Sequence, residues 1–275
     1  MDPTPTRRIA IHGASGRMGC RLVALTLEDD RLELVAAIDR AGHPRLGQDA
    51  GKIAQVAEAG VLLSDRLAVQ ADVLIDFSTS AATRLALAAC VRARCAMVIG
   101  TTGLSGQDHT AIDAAGQQVA ILQAPNMSLG VNLMFQMAGQ LARQLGDDYD
   151  IEITEAHHRY KVDAPSGTAL GIAEAICAAT GKDLAGNLVY DRHGADAARK
   201  PGQIGMHALR LGDVVGRHTA CFATLGEELQ LTHVATTRDV FARGALKAAK
   251  WLAGRPSGRY CMADLLAQLR EPANP

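Results

Sequence analysis

Short apolar runs alternate with stretches whose apolar residues recur at helical spacing, beginning at Arg8. The runs Ile9–His12, Leu34–Asp39, Val73–Phe77, Ala96–Gly100 and Val119–Ala124 predict strands, and Met18–Leu27, Thr83–Arg92 and Asp108–Gly116 predict the helices between them. Strands joined by helices need crossover connections. The pattern therefore predicts an α/β, Rossmann-type doubly wound parallel sheet.

After Asn126 the pattern changes. It predicts a helix near Asn132–Leu145, a strand near Ile151–Thr154, a polar loop, and a helix from about Ser166 to Ala179. A Gly-rich stretch without clear periodicity follows. His218–Thr224 and Glu228–Val234 flank Leu225-Gly226-Glu227 and predict a hairpin, with Met206–Leu211 as its neighbouring strand. This half reads as an α+β domain with an open mixed sheet. Ala242–Leu252 and Met262–Leu269 are amphipathic and are expected to return to the first domain, where they bury their apolar faces. Residues 1–127 and 241–275 are thus expected to form one domain, and residues 128–240 a second.

Composition narrows the class. At 275 residues, 48% hydrophobic and 21% charged, the chain is long enough for two packed cores and unlike a disordered one. Lys plus Arg number 28 and Asp plus Glu 29, a net charge of −1 that gives no reason to expect nucleic acid or an anionic membrane surface as partner. Aromatic residues make up only 3%, which disfavours base-stacking platforms. Cys20, Cys90, Cys95, Cys177, Cys221 and Cys261 contain no C-x-x-C pair and read mainly as small buried hydrophobes in a reducing compartment. The start, Met1-Asp2-Pro3-Thr4-Pro5-Thr6-Arg7-Arg8, lacks an apolar leader, and no apolar run approaches the ~20 residues that span a bilayer. A cytoplasmic location is expected.

Gly13-Ala14-Ser15-Gly16-Arg17-Met18-Gly19 follows the first strand and opens a helix. Glycines there let the backbone turn sharply and approach a pyrophosphate, whose charge sits on the free N–H groups of the helix start. Asp39 ends the next strand, placed to accept hydrogen bonds from the adenosine ribose, which favours NAD. Arg40 and Arg17 are suited to a 2′-phosphate, so NADP stays open. Gly100-Thr101-Thr102-Gly103 and Ala124-Pro125-Asn126-Met127 end later strands at the carboxyl edge of the sheet, where the nicotinamide end would lie.

The densest polar run is Glu155-Ala156-His157-His158-Arg159-Tyr160-Lys161-Val162-Asp163-Ala164-Pro165-Ser166-Gly167-Thr168. Two histidines and a lysine, read as crowded by other cations, suit proton transfer to an anionic substrate. Ser166 would cap a helix whose open N–H groups bind carboxylate. No metal is expected, because adjacent histidines in extended chain point to opposite sides and no helical His-x-x-x-His occurs.

Together these motifs resemble the dihydrodipicolinate (4-hydroxy-tetrahydrodipicolinate) reductases of lysine and diaminopimelate synthesis. The likeness runs through Gly13–Gly19, Asp76-Phe77-Ser78, Val98–Gly103, Ala124–Asn126, Glu155–Thr168, Arg210–His218 and Met262–Leu266. The resemblance implies hydride transfer from NADH or NADPH to a small dicarboxylate cyclic imine, with His157 and Lys161 as proton donors. It implies a substrate cradle of His158, Lys161, Ser166, Gly167 and Thr168. Nucleotide contacts would come from Gly13, Ala14, Ser15, Gly16, Arg17, Met18, Asp39, Arg40, Gly100, Thr101, Thr102, Ala124, Pro125, Asn126 and Met127. It also implies a homotetramer joined through the second domain's sheet. Asp39 stands where some members carry Glu, Met127 where Phe is frequent, and Ser78-Thr79-Ser80 lacks an arginine found in others. Two other readings fit the two-domain pattern: a semialdehyde dehydrogenase, which would need a nucleophilic cysteine, and a nucleotide-binding sensor without turnover.

Overall fold

The computed structural model describes residues 5–190 and 192–269. The first four residues of the leader reading, and the last six of the 241–275 segment, lie outside the described residues.

The chain begins with β1 (Arg7–His12), α1 (Arg17–Leu27), β2 (Leu32–Ile38), a short α2 (Ala50–Ile53), β3 (Leu63–Ser64), β4 (Val73–Asp76), α3 (Ser80–Ala93), β5 (Ala96–Ile99), α4 (Gly106–Gly116) and β6 (Ala120–Gln123). It continues through α5 (Leu129–Leu145), β7 (Asp150–His157), α6 (Gly167–Thr180), α7 (Leu184–Asn187), β8 (Leu188–Val189), β9 (Ile204–Arg210), β10 (Gly216–Thr224) and β11 (Glu227–Ala235). It ends with α8 (Asp239–Leu252), β12 (Gly258–Tyr260) and α9 (Met262–Gln268). Two compact units result: the chain up to Ser128 together with the chain from Asp239, and Leu129–Arg238.

In the first unit the strand order is β12-β6-β5-β4-β1-β2-β3, and every pairing is parallel. The β4 run Val-Leu-Ile-Asp and the β5 run Ala-Met-Val-Ile are wholly buried, as strands covered on both faces must be. Ala10, Leu74, Met97 and Ile121 share one cluster with Leu87 and Cys90 of α3 and Ile112 and Ala115 of α4. α8 packs against β4, β5 and β6 and contacts α1. Its Gly244 is required by that packing, since a Cβ there would stand 1.8 Å from the Met127 carbonyl oxygen. The order reverses between β1 and β4, and in open α/β sheets the ligand crevice lies at such a reversal, beyond the strands' carboxyl ends.

In the second unit the order is β11-β10-β7-β9-β8, with β10 antiparallel to both β11 and β7, and β9 parallel to β7 and β8. One sheet face carries α5 and α6 over a core of Ile151, Ile153, Met206, Ala220 and Phe222. Three expectations are corrected here. The strand of Met206–Leu211 pairs with β7, not with the hairpin, because α6 returns the chain in a parallel crossover that alternation alone does not reveal. The hairpin loop is Leu225-Gly226 alone, with Glu227 paired to Thr224 and Gly226 at φ +99°. The strand expected at Ile151–Thr154 runs on through Glu155, Ala156 and His157, where the polar side chains of Glu155 and His157 mask the strand pattern. The aperiodic stretch after α6 contains α7 and β8.

All six cysteines are free; Cys90, Cys95 and Cys177 are buried, Cys20 and Cys221 are half-buried, and Cys261 is exposed. Among the described residues no helix is long and apolar enough to cross a membrane.

Candidate active site

In the first unit the turn after β1 is held by the N–H groups of Gly13 and Ala14 donating to the Ile38 carbonyl at 2.9 and 3.0 Å. Gly13 adopts φ +75°, and a Cβ on it would meet the Phe77 carbonyl oxygen at 2.4 Å. A Cβ on Gly19 would stand 2.1 Å from the Gly13 carbonyl oxygen, so α1 starts directly against the turn. Gly16 is the N-cap and no side chain caps the first turn, leaving its N–H groups open to an anion.

Asp39 lies just beyond β2. Ser15 donates to its Oδ2 through the hydroxyl at 2.6 Å and through its backbone N–H at 3.1 Å, and the Arg40 N–H donates to Oδ1 at 2.9 Å. Burial pushes this carboxyl up, but the Ser15 and Arg40 bonds outweigh it and hold it below its ordinary range. His43 Nε2 is 3.1 Å from the Ser15 hydroxyl. Arg17 and Arg40 are exposed.

At the strand reversal, Met18, Phe77, Gly100, Pro125, Asn126, Met127 and Phe241 line a cleft of about 220 Å³. The Phe77 ring lies where a Cβ on Gly100 would be, at 2.3 Å. Phe77 and Phe241 are additions to the expected set. Ala124 is buried, and Thr102 is exposed. Thr101 is turned inward, its hydroxyl donating to Asp76 Oδ2 at 2.8 Å and accepting from the Ser78 N–H at 2.9 Å. Asp76, fully buried, also accepts from Ser78 and Thr83 hydroxyls at 2.6 Å each and pairs with His12 Nδ1 at 2.7 Å. Burial alone would raise its carboxyl, but His12 and the hydroxyls hold it below the ordinary value.

A pyridine dinucleotide fits this constellation: glycines that a Cβ would close, an uncapped helix start, and an acid at the end of β2.

The chemical cluster of the second unit grows from one strand face. Side chains alternate along β7, so Ile151, Ile153, Glu155 and His157 point the same way, and the apolar core gives way to an acid and a base at its end. Glu155 Oε2 lies 2.5 Å from His157 Nδ1. Arg210 of β9 forms a bidentate pair with the same carboxylate, 2.9 Å on each arm, and the Ser166 N–H donates to Oε1 at 3.1 Å. Arg210 also donates to the Asp163 carbonyl at 2.7 Å, tying down the loop that carries Lys161.

Burial would raise the Glu155 carboxyl, but Arg210 and His157 bring it below its ordinary range. Burial pushes His157 down, and Glu155 only partly opposes this. His218 of β10 sits directly across from Glu155, its ring edge-on to His157 with centroids 5.1 Å apart. Burial and then the neighbouring His157 push His218 down to about 4.

Lys161 Nζ is bound by both Asp163 oxygens, at 2.9 and 2.8 Å. The expected crowd of cations at His157, His158, Arg159 and Lys161 is therefore corrected: Glu155 and Asp163 place carboxylates within it. Arg238 Nη2 lies 3.3 Å from His158 Nε2. Ser166 caps α6, its hydroxyl accepting from the Ala169 N–H at 3.2 Å, and a Cβ on Gly167 would meet open space. Thr168 follows in the first turn. Glu155, Arg210 and His218 went unassigned from composition and spacing. A Glu two residues before a His on one strand was the available signal for the first; the other two are placed only by strand register. Among the described residues no group of His, Cys, Asp or Glu has metal-holding geometry.

The family description "Dihydrodipicolinate reductase, N-terminus" matches residues 7–127 and "Dihydrodipicolinate reductase, C-terminus" residues 130–266. The chain is 48% identical over 264 residues to the 4-hydroxy-tetrahydrodipicolinate reductase of Alkalilimnicola ehrlichii, covering 95% of this chain and 99% of that protein. It is 49% identical over 264 residues to the enzyme of the same name from Pseudomonas fluorescens, covering 94% and 98%. A dipicolinate-bound dihydrodipicolinate reductase from Paenisporosarcina sp. TG-14 shares the fold with a TM-score of 0.75 at 23% identity, over 93% of this chain and 97% of that one.

Proposed function

Because the chain belongs to the dihydrodipicolinate reductase family, we propose that it reduces 4-hydroxy-tetrahydrodipicolinate to tetrahydrodipicolinate with a reduced pyridine nucleotide, a step of lysine and diaminopimelate synthesis. The observation that carries the mechanism is the buried Glu155–His157 pair beside the N-terminus of α6.

The hydroxylated substrate loses its hydroxyl as water to give the conjugated imine, to which a bound reduced dinucleotide would supply hydride; the protein must hold two carboxylates and deliver one proton. The N-terminal turn of α6 at Gly167 and Thr168, with Ser166, His158 and Lys161, forms the carboxylate cradle. Lys161 reaches a substrate carboxylate by exchanging it for that of Asp163, which is exposed and loses little on release to water. Glu155 holds Nδ1 of His157 and leaves Nε2 as the proton-carrying atom. A Cβ on Gly216 would come within 3.3 Å of that nitrogen, so the glycine keeps its approach clear. His157 takes a proton at Nε2, with Glu155 balancing the imidazolium, and passes it to the reduced substrate; the Lys161 ammonium is the second donor.

Gly13–Met18, Asp39, Arg40, Gly100–Thr102 and Ala124–Met127 are the proposed nucleotide contacts. Both NADH and NADPH are accepted in this reading: Asp39 retains acceptor capacity for ribose hydroxyls, while Arg17 and Arg40 lie exposed for a 2′-phosphate. The enzyme is proposed to work in the cytoplasm as a homotetramer. The uncovered sheet face bearing Leu209, Arg217, Thr219, Thr232 and Val234, all half-buried or exposed, supports that assembly.

The test is oxidation of NADH and of NADPH with freshly prepared condensation product of pyruvate and aspartate semialdehyde. Turnover is expected, with His157→Ala lowering kcat by roughly 10²–10⁴. Binding of nucleotide without turnover would identify a sensor instead.

A further inference from the structure

Ser166 carries one hydroxyl proton, and two neighbours compete to decide where it points. Its oxygen accepts from the Ala169 N–H at 3.2 Å and lies 2.9 Å from Nε2 of His218, both residues being almost completely buried. The other ring nitrogen of His218, Nδ1, is buried with no hydrogen-bond partner among the described residues. Burial beside His157 keeps this imidazole neutral near pH 7, so it holds a single proton on one nitrogen or the other.

With the proton on Nδ1, a buried N–H would have no acceptor, and Ser166 would spend its own proton on Nε2. With the proton on Nε2, the orphan at Nδ1 is a lone pair, the more tolerable of the two defects. Ser166 oxygen then accepts twice, from Ala169 and from His218, and its O–H is left to be donated elsewhere. We infer that His218 is a positioning residue that gives its Nε2 proton to Ser166 and thereby turns the Ser166 hydroxyl outward as a donor to a substrate carboxylate. The inference rests on the reading of Ser166 as part of the carboxylate cradle. His218 thereby serves both halves of the cluster, its ring packing edge-on against His157 and its nitrogen setting the direction of the Ser166 donor.

Selective ¹⁵N labelling of histidine and long-range proton–nitrogen correlation of the intact protein report the His218 tautomer directly. Protonated Nε2 is expected; protonated Nδ1 overturns the inference. The second measurement is calorimetric binding of pyridine-2,6-dicarboxylate, a planar dicarboxylate. His218→Leu and Ser166→Ala should each weaken it about tenfold, and the double variant no further, because both remove one donor. His218→Gln, which keeps an N–H donor near the Nε2 position, should recover most of the loss. Wild-type affinity in His218→Leu would overturn the role of His218 while leaving the cradle standing. No dicarboxylate binding by the wild-type chain would sink the cradle and the inference with it.

Discussion

Glu155 and His157 occupy alternate positions on one face of β7, and this i, i+2 spacing brings carboxylate Oε2 within 2.5 Å of imidazole Nδ1. The pair fixes which nitrogen of His157 is available for chemistry. It also sets that nitrogen's proton affinity, because the hydrogen bond to the carboxylate, and then its charge, oppose the loss from burial. Glu155→Gln should lower kcat by about 10²-fold and shift the pH at which activity falls on the alkaline side to lower values, since His157 then loses its proton sooner. The variant also leaves Arg210 without its counter-charge, at a cost of about 3 kcal/mol in unfolding free energy. A full pH–rate profile separates the two effects: a lowered kcat with an unshifted profile would mean that the substitution acts through folding alone.

Asp76 joins β4 to β1 through His12, to the loop and helix that follow it through Ser78 and Thr83, and to the loop after β5 through Thr101. Asp76→Ala removes the one acceptor these four groups share in the interior. Urea denaturation should show a loss of about 3 kcal/mol. A loss under ~1 kcal/mol, the ordinary effect of one hydrogen bond, would show that the network relaxes onto other partners.

Acid sensitivity should come in two windows. The folded chain disfavours protonation of His218, so the unfolded chain binds that proton first as pH falls below the ordinary value of 6.5. The stability tied to His218 is complete above that value and drains away toward about pH 4, by about 3 kcal/mol in all. His157, also depressed, adds in the same direction. Asp76 and Glu155 are held below their ordinary values, so their contributions persist until pH falls through the carboxylate range and are lost beneath it. Melting temperatures measured from pH 7 to pH 4 should decline, and His218→Gln should flatten the upper part of that decline; parallel curves for the two proteins would refute the assignment.

Cofactor choice should divide between two adjacent residues. Asp39→Ala removes the ribose acceptor and should raise KM for NADH about tenfold, equivalent to about 1.4 kcal/mol, while relieving repulsion of a 2′-phosphate. Arg40→Ala should do the reverse, raising KM for NADPH. Paired titrations of both cofactors check this, and equal changes for the two nucleotides in either variant would contradict it.

The parallel sheet was legible because β1, β4, β5 and β6 each carry a short apolar run, residues 9–11, 73–75, 96–99 and 120–122, a pattern that strands covered on both faces produce without help from the rest of the chain. β3 and β12 were not, being two and three residues long and defined only by the neighbours they pair with. β7 was half legible, since its last three residues serve the site rather than the core. The same contrast holds for the cluster. The glycine turn and the His157–Thr168 run are local in sequence, so their chemistry could be read there. Arg210 and His218 meet Glu155 only because β9 and β10 flank β7 in register, a relationship between distant segments that local spacing does not encode.

The interruption of the nucleotide unit by residues 129–238 bears on how the chain is made. α8, which covers β4, β5 and β6, and β12, which completes the sheet edge, are translated after the whole second unit. On the ribosome the first six strands therefore emerge with the α8 side of β4–β6 bare, while the inserted unit already has all of its own strands and helices. The order of synthesis lets the inserted unit mature first, and the segment that reads earliest in the gene is the last to be sealed.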